Sequence, residues 1–211
     1  MDISYKGANC VVIKDKTAVI IVDPTPNATV KDLQHPEAVV LATQPNFAPA
    51  EDTVPAFIID MPGEYEHKDV SVQGIAAPAH LREDETAKDA VIYRLETMGV
   101  SIAVIGHTVA PLDDDTLEAL GQINVLIIPV GGGGTLDAMD AASIVRQINP
   151  NYVIPTYYDD GQTKYEVPQD KLDKFEKEMG NSNIERASAL KIKPGAIMPA
   201  NITTYELTRT K

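Results

Sequence analysis

A run of four glycines between two apolar segments constrains the fold of this chain more than any other feature. The first segment, residues 125–130, is short and rich in β-branched side chains, a pattern typical of a strand buried on both faces. The glycines at 131–134 allow the backbone to turn with positive φ values at little steric cost. A helix with an apolar stripe follows, and residues 152–155 have the composition of a second buried strand. The sequence therefore predicts a β-α-β unit with a parallel crossover, whose strand ends commonly face a ligand site.

The helix of this unit has clear start and stop signals. Asp137 or Asp140 is predicted to cap its first turn, and Asn149 followed by Pro150 is predicted to end it. The glycines themselves allow two interpretations, a phosphate cradle or a tight structural turn. They match neither the GxxxxGK[ST] pattern nor the spaced glycines of GxGxxG, and no Lys follows them. The structural turn is therefore the favoured interpretation.

Composition narrows the class of protein. The 211 residues, 44% of them hydrophobic, predict a single domain over residues 1–211 with a sizeable core. The net charge of −13 predicts a surface that repels nucleic-acid phosphates and anionic lipid, so we expect neither partner. Cys10 is the one cysteine, which excludes an internal disulfide and points to a reducing compartment. The first residues lack a signal-peptide pattern and no apolar run reaches about 18 residues, so a cytoplasmic location is expected.

The remaining pattern alternates short apolar runs with turn residues. Strands are predicted over residues 3–5, 10–13, 18–22, 38–42, 56–59, 70–75, 90–96, 100–105, 190–192 and 202–207, and helices over 111–120 and 169–179. The first three strands form a meander, and residues 90–105 form a hairpin around Met98-Gly99. Residues 24–32, 62–66 and 81–89 are predicted as loops or turns. A strand-led first half and a mixed second half predict a sandwich of two sheets with outer helices.

Several short motifs occur in an order that is typical of one family. They are GANC, IIVDP, VVLAT, PGEYE, PAH, IGHT and, most specific, IPVGGGGTLDAMDAASIVRQINPNYVIPTYY. In these motifs the sequence resembles the metallo-β-lactamase fold superfamily, and within it a branch of small metal-dependent hydrolases related to ascorbate-6-phosphate lactonases. The resemblance covers nearly the whole chain. It implies an α/β fold, a four-layer αββα sandwich with the active site at one edge between the two halves.

The resemblance also implies where metal ligands are expected. The family binds one or two ions, usually zinc or manganese, through a His-x-His-x-Asp-His motif after the strand at 39–42 and through later His and Asp residues. In this sequence the corresponding positions are occupied by Gln44, Asn46, Ala48, Pro49, His80, His107 and Tyr157. Of these, only His80 keeps the residue type that the family has. His107 stands where the family has its bridging aspartate, and Tyr157 where it has its last histidine.

These replacements are poor ligands for a catalytic dication. A catalytic zinc needs about three protein ligands and an open position for water. Amides replace imidazole poorly, Ala48 and Pro49 offer no donor, and the neutral phenol of Tyr157 is a weak ligand. The sequence therefore predicts a pseudoenzyme without catalytic residues, acting as a binding or assembly module with no cofactor. Its pocket would contain Gln44, Asn46, His80, His107 and Tyr157, a neutral polar set suited to a small polar ligand or a protein partner; an oligomer is compatible with the sequence.

The alternative is a hydrolase with a rearranged mononuclear site. By the family pattern His80 and His107 both face the vacated site, where Asp159 or Asp160 could join them to hold zinc or manganese. Such an enzyme would act on a lactone, ester or phosphoester. The competing expectation is that His107 and Tyr157 hydrogen-bond to each other and fill the space, because buried polar groups need partners. The sequence favours the hydrogen-bonded pair over the mononuclear metal site, because zinc sites rarely form with only two good ligands.

Four further residues have predicted roles outside the metal positions. Asp23 in IIVDP matches an aspartate that orients ligand histidines in the family; here it is expected to accept bonds from backbone amides in a turn. Glu64 and Glu66 are predicted to lie in a solvated turn rather than to act as paired carboxylates. Cys10 is predicted to be a buried small hydrophobe.

Overall fold

Two β-sheets pack face to face in the computed structural model, which describes residues 1–25, 29–50, 54–80, 89–180 and 183–210. The six-stranded sheet contains β1 (Asp2–Gly7), β2 (Cys10–Lys14), β3 (Val19–Val22), β4 (Ala38–Leu41), β5 (Phe57–Ile59) and β13 (Leu190–Lys191), in the order β13-β1-β2-β3-β4-β5. The eight-stranded sheet contains β6 (Gly63–His67), β7 (Val70–Ala77), β8 (Ala90–Thr97), β9 (Val100–Val104), β10 (Val125–Pro129), β11 (Tyr152–Thr156), β12 (Ile184–Ala187) and β14 (Thr203–Leu207), in the order β12-β14-β11-β10-β9-β8-β7-β6. The helices are α1 (Val30–Leu33), α2 (Asp114–Leu120), α3 (Ala138–Ile148) and α4 (Leu172–Glu178). This mixed architecture confirms the predicted sandwich.

The six-stranded sheet is buried on both faces. Successive side chains of a strand point to opposite sides, so each strand contributes side chains to two cores. One face joins the main core between the sheets, through side chains such as Val11, Ile13 and Ile20. The other face forms a smaller core with Leu33 of α1; its members are Cys10, Val12, Val19, Ile21, Leu33, Ala38 and Val40. The continuous apolar runs of these strands follow from burial on two faces. Cys10 is fully buried, as predicted, and burial raises the pKa of its thiol to about 12.

The predicted β-α-β unit is present and supplies one wall of the site. Strands β10 and β11 are parallel, with Val125 opposite Tyr152. Asp137 caps α3 by accepting a hydrogen bond from the backbone N–H of Asp140, and Asn149 ends the helix in the left-handed conformation. Of the two predicted caps, Asp137 is therefore the one used. The buried stripe of α3 packs against the sheet at Ala138, Ala141, Ala142, Ile144 and Val145.

The glycine run allows two loops to pack closely against it. A Cβ atom at Gly131 would lie 2.3 Å from the carbonyl oxygen of Tyr157, and one at Gly133 would lie 2.3 Å from Nε2 of Gln169. The backbone N–H of Asp170 also donates to the carbonyl of Gly131, at 2.8 Å. A side chain at either glycine would displace these loops. Close packing explains why glycine is needed at these two positions. It agrees with the structural turn, which is the interpretation that the sequence favoured.

Several elements differ from the sequence predictions. Residues 62–66 were predicted as a turn that enters a strand pair, but Gly63–His67 form the edge strand β6, in which Glu64 and Glu66 are both exposed. Strand β12 was not predicted, because its sequence, IERA, alternates weakly and is half polar. The short helix α1 lies in the predicted loop 24–32, where Leu33 gains burial beneath the sheet. The predicted loop 81–89 lies almost wholly outside the described residues.

Two predicted helices begin later than expected, α2 at Asp114 and α4 at Leu172. For α2 the reason is the cap: the side chain of Asp113 accepts from the backbone N–H of Thr116, so Asp113 itself is not helical. Within the described ranges, each helix is too short or too polar to cross a lipid bilayer.

Candidate functional site

The site lies at the edge of the sandwich where the ends of five segments from both sheets converge. Asn9 lies in the β1–β2 turn, Asp23 follows β3, and Thr43 follows β4. From the eight-stranded sheet, His107 follows β9 and Thr156 ends β11. These residues belong to the motifs GANC, IIVDP, VVLAT, IGHT and VIPTYY, so the tertiary structure brings five separate motifs together.

A chain of buried hydrogen bonds joins the five side chains. Thr156 Oγ1 donates to Asn9 Oδ1 at 2.6 Å, and Asn9 Nδ2 donates to Asp23 Oδ2 at 2.6 Å. Asp23 also accepts from the backbone N–H and the hydroxyl of Thr43, each at 2.7 Å. Thr43 Oγ1 lies 3.2 Å from His107 Nδ1. Asp23 was predicted to bond backbone amides in a turn; it does bond one amide, but it links strand ends and a side chain across the site.

The hydrogen-bond pattern assigns the proton of His107. The single hydroxyl proton of Thr43 is donated to Asp23, whose carboxylate can only accept when it is ionised. Nδ1 of His107 must then donate to Thr43 Oγ1, and in a neutral imidazole Nε2 is left as an acceptor. Nε2 is buried and has no hydrogen-bond partner in the described structure. The site therefore contains one buried acceptor that no protein donor satisfies.

Burial moves the pKa values of Asp23 and His107 in opposite directions. Burial raises the pKa of Asp23 to about 6, although the hydrogen bonds from Asn9 and Thr43 oppose this shift. Burial, with a smaller contribution from His80, lowers the pKa of His107 to about 4. The two side chains approach to 3.9 Å. At neutral pH the imidazole is therefore uncharged, and the carboxylate is the charged member of the pair.

Two aromatic rings pack against His107. Phe47 stacks on the imidazole with ring centroids 4.6 Å apart, and Tyr157 meets it edge-on at 5.0 Å. Tyr165 packs in turn on Tyr157, at 4.9 Å. The predicted hydrogen bond between His107 and Tyr157 is therefore replaced by a ring contact. Tyr157 has a φ of +52°, a conformation that non-glycine residues adopt rarely and that orients its ring toward His107.

Phe47 was not among the predicted site residues, although it lies inside the degenerate motif between Asn46 and Ala48. Its position is not one of the ligand positions that the resemblance implies. Phe47 ends the 3₁₀ turn Pro45–Phe47, which begins directly after Gln44. The turn places the ring over the imidazole, so the stacked pair lies among the positions where the resemblance implies metal ligands.

Two adjoining cavities border this cluster. The inner cavity has a volume of about 600 Å³; Phe47, Asn46, His107 and Tyr157 contribute to its wall. The rest of its lining is Ala8, Asn9, Asp23, Pro24, Thr25, Leu33, Ala48, Pro49, Ala50 and Val54. The outer cavity, about 700 Å³, is bordered by Gln44, Gly133, Gly134 and the loop that carries Tyr165. The predicted neutral polar pocket is thus only partly matched, because most of the inner wall is apolar.

His80 lies beside His107 but lines neither of these cavities. Its backbone N–H donates to the carbonyl oxygen of His107 at 2.8 Å, and its buried Nδ1 has no hydrogen-bond partner among the residues that the structure describes. The two histidines are thus neighbours. The carboxylates proposed to join them are elsewhere: Asp159 and Asp160 border a different cavity, and Asp160 accepts hydrogen bonds from Thr163.

The residues at this edge do not fit a catalytic dication. In the described part of the chain, no three His, Cys, Asp or Glu side chains are grouped so that they could hold a metal ion. The positions implied by the resemblance offer the amides of Gln44 and Asn46, the methyl of Ala48 and the ring of Pro49. Asp23 already accepts three hydrogen bonds from neutral donors. A zinc ion would need about three good ligands, which this set does not provide.

Comparisons with known proteins place the chain in a broad family. The family described as Beta-lactamase superfamily domain matches residues 2–157. A UPF0173 metal-dependent hydrolase of Thermococcus onnurineus is 30% identical over 107 residues, 50% of this chain and 44% of the relative. A second, from Pyrococcus furiosus, is 31% identical over 104 residues, 49% of this chain and 43% of the relative. The matched region thus spans less than half the length of these curated relatives.

Solved structures share the fold over most of the chain. A Thermotoga maritima protein of the metallo-β-lactamase superfamily superposes with a TM-score of 0.71 and 22% identity, covering 98% of this chain and 99% of the other. Igni18, a metallo hydrolase of Ignicoccus hospitalis, gives a TM-score of 0.61 and 12% identity over 86% of this chain and 91% of the other. At these identities the likeness shows the fold alone.

Proposed function

Because this chain belongs to the family described as Beta-lactamase superfamily domain, yet carries other residues where the resemblance implies metal ligands, we propose that it binds a small organic molecule without a catalytic metal. The binding site is the inner cavity beside His107. Binding requires only the retained strand ends and the cavity they enclose. Hydrolysis by the usual route of the family would require ligands that these positions do not supply.

One observation supports this proposal: the rings of Phe47 and Tyr157 pack on His107 among the positions where the resemblance implies metal ligands. Beside the rings is a cavity of about 600 Å³, a volume in the usual range for sites that bind small molecules. Apolar side chains, among them Leu33 and Val54, form most of its wall, and a few polar groups are placed among them. This is the usual composition of a small-molecule site.

Metal analysis tests the part of the proposal that concerns the absence of a catalytic metal. Protein purified without chelators is analysed for zinc, manganese and iron, beside the variants His80→Ala and His107→Ala. We expect far less than one metal ion per chain in all three proteins. A stoichiometric metal in the wild type that is lost in both variants would overturn the proposal. The His35→Ala variant, changed at a histidine outside the site, controls for loss caused by handling.

Ligand binding tests the part that concerns the small organic molecule. A collection of small fragments is screened by thermal shift, and hits are measured by calorimetry. Ala48→Phe places a ring in the cavity and is expected to abolish binding, because Ala48 lines its wall. Met139→Phe is the matched control, since Met139 is an exposed residue of α3 away from the cavity. Hits that bind Ala48→Phe as well as the wild type would place binding elsewhere and contradict the proposal.

The second candidate function is metal-dependent hydrolysis at a mononuclear site that uses His80 and His107. The names of the curated relatives favour it over the first candidate, because both are called metal-dependent hydrolases. Within this chain it is supported by two neighbouring imidazoles with one unpartnered nitrogen each. The donor set of the described residues favours the first candidate instead.

Activity assays separate the two candidates. A panel of lactones, esters and phosphoesters is assayed with added Mn²⁺ or Zn²⁺, for the wild type, His107→Ala and His35→Ala. Under the first candidate no metal-dependent turnover is expected in any of them. Turnover that is present in the wild type and His35→Ala but absent in His107→Ala would establish the second candidate.

A further inference from the structure

The inner cavity has an uneven distribution of charge. Asp23 is the one ionised side chain among the described residues of its lining, and it is 4% exposed. None of these lining residues is Lys or Arg. The three donors to the Asp23 carboxylate, from Asn9 and Thr43, are neutral and leave its negative charge in place. The wall is therefore apolar with one buried negative charge behind it.

We propose that the inner cavity selects an organic cation, a primary ammonium group attached to an apolar or aromatic body. This inference rests on the proposed function and names the chemical class of its ligand. The apolar body would lie against Leu33, Pro49 and Val54, and the ammonium group would lie toward Asp23 and His107. Charge attraction to the carboxylate is strengthened there because Asp23 is itself buried in the protein, where the effective dielectric constant is lower than in water.

The polar and aromatic groups of the wall complement such a ligand. Nε2 of His107 is an acceptor that lacks a donor, and an ammonium N–H can supply one after a small movement of the rings that cover it. The ring faces of Phe47 and Tyr157 attract cations through their electron-rich π systems. Three separate features, a carboxylate, an unpaired acceptor and two aromatic rings, thus favour the same head group.

The same features disfavour anions. A carboxylate or phosphate in the cavity would meet Asp23 in a low dielectric without a cationic side chain among the described lining residues. The net charge of −13 adds a repulsive field for anions and an attractive one for cations outside the cavity. This preference is the opposite of what a phosphoester hydrolase would need from its pocket.

Three probes that share one body and differ in the head group test the inference: 2-phenylethylamine, 2-phenylethanol and phenylacetate. Binding is measured by calorimetry at about pH 8, where the amine is protonated and Asp23 is ionised. We expect the amine to bind about tenfold more tightly than the alcohol, and phenylacetate to bind least. An alcohol that binds as tightly as the amine, or a carboxylate that binds best, would overturn the inference while leaving the proposed function intact. If none of the three binds, the inference fails, whereas the proposed function is still decided by the fragment screen with Ala48→Phe.

Two variants test the assigned groups. Asp23→Asn removes the charge and is expected to bring the amine down to the affinity of the alcohol. Because Asp23 has three hydrogen bonds and this variant could fail to fold, Phe47→Leu is the second test. This variant keeps an apolar side chain but removes the π face. We expect it to weaken binding of the amine severalfold more than binding of the alcohol. Equal weakening of both probes would contradict the inference.

The acidic surface could bind the amine non-specifically, and Ala48→Phe controls for this. The variant keeps all 31 acidic residues of the chain but fills the cavity. Amine binding is expected to disappear in Ala48→Phe and to remain in Met139→Phe. Amine binding that persists in the filled variant would be surface attraction and would overturn the inference.

Discussion

At the scale of single residues, the hydroxyl of Thr43 determines the chemistry of the site. It donates to Asp23 and accepts from His107, so it connects the charged residue of the site with the imidazole. Its backbone N–H also donates to Asp23. The result is that one side chain fixes both the orientation of the carboxylate and the tautomer of the histidine. A binding module can keep such a network without a metal, because the network satisfies the buried groups that folding brings together.

Replacing Thr43 with Val tests the importance of this hydroxyl. The shape is nearly conserved, but Asp23 loses one donor and Nδ1 of His107 loses its acceptor. We expect the free energy of unfolding to fall by about 1–3 kcal/mol, the usual cost of leaving buried polar groups unpaired. Thr43→Ser keeps the hydroxyl and is the matched control. Urea denaturation that finds Thr43→Val at least as stable as Thr43→Ser would contradict the assigned role.

Asp15 provides a prediction about pH. Burial raises the pKa of this carboxyl, but hydrogen bonds from Thr97, Thr17 and Ala18 outweigh burial and hold the pKa below its usual value of 3.8. The folded pKa lies below the unfolded one, so the stabilisation is complete above 3.8 and is lost as the pH falls through the folded pKa. The stability gap between wild type and Asp15→Asn is therefore expected to be largest at neutral pH. Denaturation curves at pH 7 and at about pH 3 measure it, and a gap independent of pH would be inconsistent with this assignment.

At the scale of elements, the glycines of the loop between β10 and α3 serve both close packing and a turn with positive φ, which Gly132, Gly133 and Gly134 all have. Gly131 does not have a positive φ, but a Cβ atom there would lie 2.3 Å from the carbonyl oxygen of Tyr157 and 2.9 Å from Cα of Tyr158. Gly132 has a φ of +72°, but the nearest atom to a Cβ there is 3.8 Å away. The two neighbouring glycines are therefore required for different reasons.

Alanine substitutions separate these reasons. Gly131→Ala forces the 157–158 backbone to move and is expected to cost about 3 kcal/mol of stability through overpacking. Gly132→Ala is expected to cost about 1 kcal/mol, the usual penalty for a side chain at positive φ. Because Tyr157 covers His107, Gly131→Ala is also expected to disturb ligand binding, whereas Gly132→Ala is not. Equal losses of stability in the two variants would show that close packing of the loops is not the constraint.

At the scale of the whole molecule, the site depends on how the two sheets are held against each other. The hydroxyl of Tyr93 on β8 is within hydrogen-bond distance of the carbonyl oxygens of Ala42 and Ile59, at 2.8 and 2.9 Å. Its ring is fully buried between the sheets. The backbone N–H of Val91 donates to the carbonyl of Thr43 at 2.9 Å. Strand β8 therefore fixes the end of β4, from which Thr43 and the 3₁₀ turn with Phe47 extend.

Removing this hydroxyl tests the connection. Tyr93→Phe keeps the buried ring and removes the bond to the strand ends, with an expected loss of about 1–2 kcal/mol. Tyr205→Phe, changed at a half-buried tyrosine of β14 remote from the sheet junction, is expected to lose less. Chemical denaturation measures stability, and binding of the cavity probes reports on the site. A Tyr93→Phe protein as stable as Tyr205→Phe would exclude a structural role for this hydroxyl.

The sequence by itself determined the elements of the fold. The meander of β1 to β3, the hairpin around Met98-Gly99 and the unit around α3 were predictable because apolar periodicity, turn residues and caps act over a few neighbouring residues. The segments that escaped prediction, β6, β12 and α1, carry weak local signals. They are ordered by pairing or packing with other strands: β6 with β7, β12 with β14, and α1 with β3 and β4. The prediction that the implied ligand positions hold poor metal ligands also came from residue types alone.

Only the tertiary structure decided what replaces the implied metal centre. Asn9, Asp23, Thr43, His107 and Thr156 are up to 147 residues apart in the chain, and no local pattern predicts that they form one hydrogen-bonded chain. The stacking of Phe47 on His107, the mostly apolar cavity wall and the distance of Asp160 from the site arise from strand order and loop packing. The physical reason is that the chemistry of a side chain follows from its residue type alone. The residues that surround it in space depend on the sheets, which bring the strand ends to one edge.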